Sequence, residues 1–305
     1  MARRFLQPPI ASMEELEERR REAVAAFIAQ RGMEGGARYR QASAANRDLV
    51  RALFDATHDL LDFGTGAALA EAPHLLSIAR YLGGPPISGD DLDTLAETRI
   101  ASRRRLDPDL SRKAAGVIVA SIDPERFPWL YADPPRRPTD QERDTALRWT
   151  AGLKAIQEIA MGRRSESSAR QEAAVRSLLE RNGFSEVRAR PIDVTGAGLA
   201  PGEFSREALV VGTRADVPVG LRDGRLLLIE CKVSNSAVNS VKRLNRETGG
   251  KAQHWRRDLG ARAIPAAVLA GVFGLNNLIA AQESGVTIFW EHDLRVLEAF
   301  LREAS

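Results

Sequence analysis

Leu226-Leu227-Leu228-Ile229-Glu230-Cys231-Lys232 is four aliphatic residues followed by an acid, a cysteine and a base. A run of that kind reads as the centre of a sheet. Alternate residues of a strand share a face, so Glu230 and Lys232 project together and Cys231 points the other way. A carboxylate and an ammonium at the end of an apolar strand are costly to desolvate, and proteins keep such pairs chiefly where they do chemistry. Upstream lies Asp216, in Arg214-Ala215-Asp216-Val217-Pro218, and between the two sits Leu221-Arg222-Asp223-Gly224-Arg225, whose Asp-Gly is a hairpin signal. An acid, a turn and then acid-x-Lys is the set a metal-dependent phosphodiesterase needs.

Register decides whether Asp216 joins that set. With Asp223-Gly224 as a two-residue turn, Arg222 pairs with Arg225 and Asp216 falls opposite Cys231, on the wrong face. An odd-length loop or a bulge moves the pairing by one residue and brings Asp216 beside Glu230. Pro218 cannot donate to a ladder, which makes a distortion here plausible. The site therefore requires an irregular first strand.

Asp216 followed by Glu230-Cys231-Lys232 resembles the PD-(D/E)xK nuclease superfamily, with Ala215 standing where the motif has proline. The resemblance implies an α/β fold: a mixed central sheet flanked by helices. The surrounding segments can be read that way. Ser168-Ala169-Arg170-Gln171 has capping-box spacing before a helix over about 169–181, which stops at Asn182-Gly183. Strands are expected over 186–192, 207–219 and 225–233, then a helical stretch over 239–259 interrupted by Gly249-Gly250. A strand over 264–273, a helix over 276–283, a strand over 286–290 and a helix over 293–304 complete the order. In the superfamily an acid on the first helix often assists metal binding, and Glu172 stands where it would fall.

The residue types suit the chemistry. Mg²⁺ prefers carboxylate oxygens and keeps several waters, with substrate phosphate completing its shell. Asp216 and Glu230 would supply carboxylates, and the backbone carbonyl of Cys231 a further oxygen. The cation would acidify a bound water and offset charge on the phosphate. Lys232 would orient or activate that water, or stabilise the pentacovalent phosphate. The alternative is a hairpin ending in a surface Glu–Lys pair. Glu-x-Lys alone occurs by chance in chains this long, so the conjunction with the apolar strand, the spaced Asp and the flanking order carries the weight.

Charge is concentrated beside this strand. The 305 residues carry 44 basic and 41 acidic side chains, a formal +3. Between Lys232 and Arg262, eight basic residues (Lys232, Lys242, Arg243, Arg246, Lys251, Arg256, Arg257, Arg262) face only Glu247 and Asp258, a net +6. That is the footprint of a phosphate-binding face. Asn235, Asn239 and Asn245 lie among these charges, and asparagine suits adenine edges as arginine suits guanine. Asn235, Asn239, Lys242, Arg243, Asn245, Arg246, Lys251, Arg256 and Arg257 are thus the expected DNA-binding residues, the alternative being a solvated amphipathic helix.

Elsewhere the chain bounds the answer. With 44% hydrophobic residues it can bury a sizeable core in two lobes. One cysteine excludes an intrachain disulfide framework and fits a reducing cytoplasm. The Met1-Ala2-Arg3-Arg4 start lacks a hydrophobic signal core, and no stretch is apolar enough to span a membrane. His58, His74, His254 and His292 show no metal-ligand spacing; His254 could meet a phosphate or simply lie on the surface. Residues 1–160 read as mostly helical, serving DNA binding or dimerisation, and 161–305 as the catalytic domain. Ser12-Met13-Glu14-Glu15 caps one helix, Ser88 opens another, and Thr139 caps a third over 141–161. The polar 162–168 segment marks a lobe boundary unless the helix runs through it. Arg103-Arg104-Arg105 with Arg112-Lys113 forms a second basic cluster, for the DNA backbone or merely a solvated helix end.

Gly83-Gly84-Pro85-Pro86-Ile87-Ser88, followed by Asp90-Asp91-Leu92, is similar to an element of the XamI family of type II restriction endonucleases, over most of the chain. By itself the element is a Gly-Pro turn with a Ser/Asp cap. The family resemblance implies a helical N-terminal part before a PD-(D/E)xK core. It also implies double-stranded DNA as substrate, cut at a short palindrome with GTCGAC the associated site. A two-fold homodimer would match the palindrome, and a cognate DNA methyltransferase would protect the host. A structure-specific repair or junction nuclease and a catalytically inactive DNA-binding protein remain the alternatives.

Overall fold

The computed structural model describes residues 6–34, 36–195 and 197–304. The Met1-Ala2-Arg3-Arg4 start lies outside the described residues, as do the side chains of Asn239, Lys242, Arg243 and Asn245. Strands are β1 (Ser185–Val187), β2 (Glu203–Ser205), β3 (Ala208–Val210), β4 (Thr213–Ala215), β5 (Val217–Gly220), β6 (Leu226–Ser234), β7 (Ala263–Gly271) and β8 (Thr287–Trp290). Helices are α1 (Met13–Glu34), α2 (Ala37–Ala56), α3 (Ala67–Glu71), α4 (Leu76–Ala79), α5 (Gly89–Leu95), α6 (Pro108–Val119) and α7 (Asp140–Arg181). They continue with α8 (Ala237–Ser240), a π-helical stretch Val241–Gly249, α9 (Gly250–Leu259), α10 (Leu275–Glu283) and α11 (Arg295–Glu303). Two compact units are formed, one of residues 34–162 and one of residues 6–33 with 163–304.

The second unit is built on a six-stranded mixed sheet in the order β1-β2-β5-β6-β7-β8. β5 pairs antiparallel with β6, whereas β6, β7 and β8 run parallel. Parallel neighbours need a crossover, and α9 and α10 supply the two here. Leu226–Ile229 are all at most 4% exposed, because both faces of β6 are covered. Leu227, Ile229 and Cys231 face Val175, Leu178 and Leu179 of α7 and Leu297, Phe300 and Leu301 of α11. Leu226 and Leu228 face Trp255 and Leu259 of α9. This is a restriction-endonuclease-like α/β core.

Three expectations change. α1 was expected in the N-terminal region, yet Leu16 and Ala23 are buried with Leu244, Leu269 and Leu278 in a core of the sheet unit. Its apolar positions have partners there, and burial decides membership. Ser12 does cap it, accepting from Glu15 N at 3.2 Å while Ser12 N donates to Glu15 Oε2 at 2.7 Å. Second, Ser168 opens no helix: α7 is unbroken through 162–168. With helix already preceding it, Ser168 Oγ bonds Glu172 Oε1 at 3.3 Å instead. Third, 207–219 is not one strand but β3, β4 and β5, and of the strand expected over 186–192 only β1 forms.

In the helical unit, Phe54, Phe127 and Trp129 pack edge-to-face with centroids 5.5–6.3 Å apart, among aliphatics of α2, α4, α6 and α7. The Gly83-Gly84 turn is held by buried Arg126, whose guanidinium donates to Tyr81 O, Leu82 O and Gly83 O at 2.6–3.1 Å and pairs with Asp123 at 2.7 Å. Thr139 caps α7 through a reciprocal pair with Glu142.

Candidate active site

A three-residue loop, Arg222-Asp223-Gly224, joins β5 to β6. Leu221 N donates to Arg225 O at 2.8 Å and Gly224 N to Leu221 O at 3.0 Å, with Gly224 at φ +90°. Such loops need a residue at positive φ in the last position, which glycine adopts without strain. Asp223 fixes the loop by accepting from Arg225 N and Nε at 2.9 and 2.8 Å. The odd length sets the register Val217↔Ile229 through Gly220↔Leu226. Extended by one residue, it puts Asp216 across from Glu230. Asp216 itself lies between two ladders, where the chain leaves β4 for β5. The irregularity required of the first strand is therefore a break at Asp216 combined with an odd loop.

Three predicted residues meet at the end of β6. Lys232 Nζ lies 2.8 Å from Glu230 Oε2 and 3.2 Å from Asp216 Oδ2. Asp216 Oδ2 also accepts from Cys231 N at 2.8 Å. Glu230 is fully buried, and a buried carboxylate without partners costs on the order of several kcal/mol. That would offset the burial of two or three of the leucines beside it, at about 1.5–3 kcal/mol each. Two ammoniums prevent this. Besides Lys232, Lys251 Nζ lies 2.9 and 2.8 Å from the two oxygens of Glu230.

The electrostatics follow from burial. Desolvation pushes the Glu230 carboxyl above its ordinary value; the Lys232 charge opposes this and the Asp216 charge adds to it. Desolvation acts to lower the Lys232 ammonium, but the Glu230 and Asp216 charges outweigh it and hold it above its usual value, so it stays charged. Glu172 is also raised, by burial first and then by the charge of Asp216, which places it within electrostatic reach of the cluster. Burial pushes the Cys231 thiol well up, with Asp216 and Glu172 adding, so its side chain packs and does not act as a nucleophile.

Among the described residues no group of three or more His, Cys, Asp or Glu side chains forms a ready-made cation cage. Asp216 and Glu230 offer two carboxylates linked through one ammonium. Mg²⁺ takes one or two carboxylates from a protein and completes its shell with water and phosphate, so this donor set fits it.

The basic segment is less uniformly a DNA face than its composition suggests. Lys251 turns inward to Glu230 instead of standing ready for phosphate, because Glu230 requires a counter-charge. The signal was in the sequence: Lys251, Trp255 and Leu259 recur every four residues on the buried face of α9. Arg257 pairs with Asp258 at 2.6 Å, and Arg262 donates to Thr195 O and Val194 O at 2.7 and 2.5 Å. His254 is engaged by Val211 O at 2.7 Å. Asn235, Arg246 and Arg256 are exposed. In the helical unit, Arg103, Arg112 and Lys113 line a surface cleft of about 730 Å³ with Asp107 and Asp109, and Arg112 is paired to Asp109 at 3.1 Å.

A mixed sheet flanked by helices, with acid, acid-x-Lys at the end of its central strand, defines the restriction-endonuclease-like class. The XamI restriction endonuclease family model matches residues 59–290, from the helical unit through β8. The chain belongs to the XamI restriction endonuclease family, and so is a site-specific deoxyribonuclease acting on DNA. It is 40% identical over 238 residues to the type II restriction enzyme XamI of Xanthomonas campestris pv. amaranthicola, covering 75% of this chain and 84% of that one. No solved structure matches. No helix among the described residues is long and apolar enough to cross a membrane.

Proposed function

We propose that this restriction endonuclease makes Mg²⁺-dependent double-strand cuts at a short palindrome, GTCGAC by family resemblance, with Asp216, Glu230 and Lys232 as its catalytic residues. The observation that carries this is the single ammonium of Lys232 within reach of both carboxylates toward the end of a largely buried central strand. Asp216, Glu230 and the backbone carbonyl of Cys231 would hold Mg²⁺, with Glu172 assisting. When bound, the cation supplies a more acidic water and neutralises charge developing on the phosphate. Lys232, kept charged by its neighbours, positions the attacking water or stabilises the pentacovalent phosphate. Asn235, Arg246 and Arg256 contact the DNA, together with Asn239, Lys242, Arg243, Asn245 and Arg257. The helical unit supplies dimer or further DNA contacts. The enzyme acts in the cytoplasm as a homodimer, and a cognate methyltransferase protects host DNA. Plasmids with mapped sites provide the test. Discrete fragments ending at GTCGAC with Mg²⁺, none with chelator and none from methylated plasmid are expected. Nicking that follows DNA structure and not sequence would overturn the proposal.

A further inference from the structure

We infer that Lys251 is an internal counter-ion of this site: it neutralises Glu230 while no divalent cation is bound, and a cation binding there displaces it toward the DNA phosphates. The inference rests on the reading of Asp216 and Glu230 as cation ligands. Both Glu230 oxygens are taken by Lys251 Nζ, at 2.9 and 2.8 Å, so a cation approaching that carboxylate meets an ammonium already in place. Two carboxylates and two ammoniums balance. A divalent cation added with both ammoniums retained would leave these four groups at +2, or the cluster at +1 with a charged Glu172 included. Either is an uncompensated positive charge beside a fully buried group, which is costly in a poorly solvated site.

One lysine must yield, and the geometry points to which. Lys232 stands on the central strand between both carboxylates, with its side chain 15% exposed. Among the described residues Lys251 pairs with Glu230 alone; its side chain is 26% exposed and lies in the first turn of α9, just after Gly249-Gly250. Its four-carbon stem lets the ammonium leave without moving the backbone. The released charge stays in the segment whose exposed arginines are proposed to meet DNA.

Calorimetric titration of the DNA-free protein with Mn²⁺, a hard cation that also takes oxygen ligands, tests this in wild type, Lys251→Met and Glu230→Gln. Lys251→Met should bind Mn²⁺ about tenfold more tightly or better, the scale of one lost charged contact. Glu230→Gln should lose the site. Thermal melts supply a second readout: Lys251→Met should melt below wild type in chelator, and Mn²⁺ should narrow the gap. Lys251→Arg, which keeps the charge, should bind Mn²⁺ as wild type does and guards against a folding defect in the methionine variant. Equal Mn²⁺ affinity in wild type and Lys251→Met, with loss in Glu230→Gln, overturns the inference and leaves the cation site standing. So does a melting gap that Mn²⁺ does not change, the mark of a merely structural lysine. No Mn²⁺ binding by wild type, or binding unaffected by Glu230→Gln, overturns the cation site itself and the inference with it.

Discussion

Single side chains in this protein gain their properties from what holds them. Glu142 accepts two bonds from the Arg136 fork at 2.8 and 2.6 Å and closes the Thr139 cap, and these hold its carboxyl down to about 2. A carboxyl depressed in the folded state stabilises the fold above its unfolded value, and that contribution disappears as pH falls through the folded one. The window is therefore about pH 4.5 down to about 2. Glu142→Gln should flatten the loss of stability across that window, measured by thermal melts at stepped pH; an unchanged acid limb would contradict the capping account. At the candidate site the same logic drew attention to Glu230 and Lys232, since a charged pair after four aliphatics calls for a reason, and the two do meet there. Lys251 was harder to place. Its charge drew attention to phosphate, whereas its spacing from Trp255 and Leu259 marks an inward face.

Elements carry the register. Asp223-Gly224 identified the turn, but the dipeptide fits a two- or a three-residue loop, and only the bonds of Leu221, Asp223 and Arg225 distinguish them. Asp216 therefore stayed conditional until the loop length was known. Gly224→Ala should cost about 1–2 kcal/mol, because nothing obstructs a methyl there and the penalty is the backbone conformation alone. Denaturant melts check this, and an unchanged midpoint would mean that the loop relaxes without strain. The long parallel strands β6 and β7 were legible from their apolar runs. β1 and β2, three residues each, are too short to show a period of two. Ser168 misled for a different reason: capping-box spacing has meaning only where helix does not already precede it.

At the level of the whole molecule, membership of a unit follows burial and not chain order. Leu16 and Ala23 are almost wholly buried against the sheet unit's own apolar residues. Deleting residues 1–33 should therefore lower the melting temperature and expose apolar surface to a dye such as ANS; a truncated chain as stable as the full one would show that α1 packs only loosely. The polar breaks suggested a division near residue 162, but the return of α1 to the sheet unit was not legible, because contacts across more than 200 residues leave no local pattern. Asp216, Glu230 and Lys232 are proposed to cut DNA together. Its most direct test is the rate of Mg²⁺-dependent plasmid cleavage by Lys232→Ala beside wild type, with DNA binding and folding measured on the same samples. A rate lowered about 100-fold or more is expected, with folding and DNA binding retained. Cleavage by Lys232→Ala at the wild-type rate would contradict it.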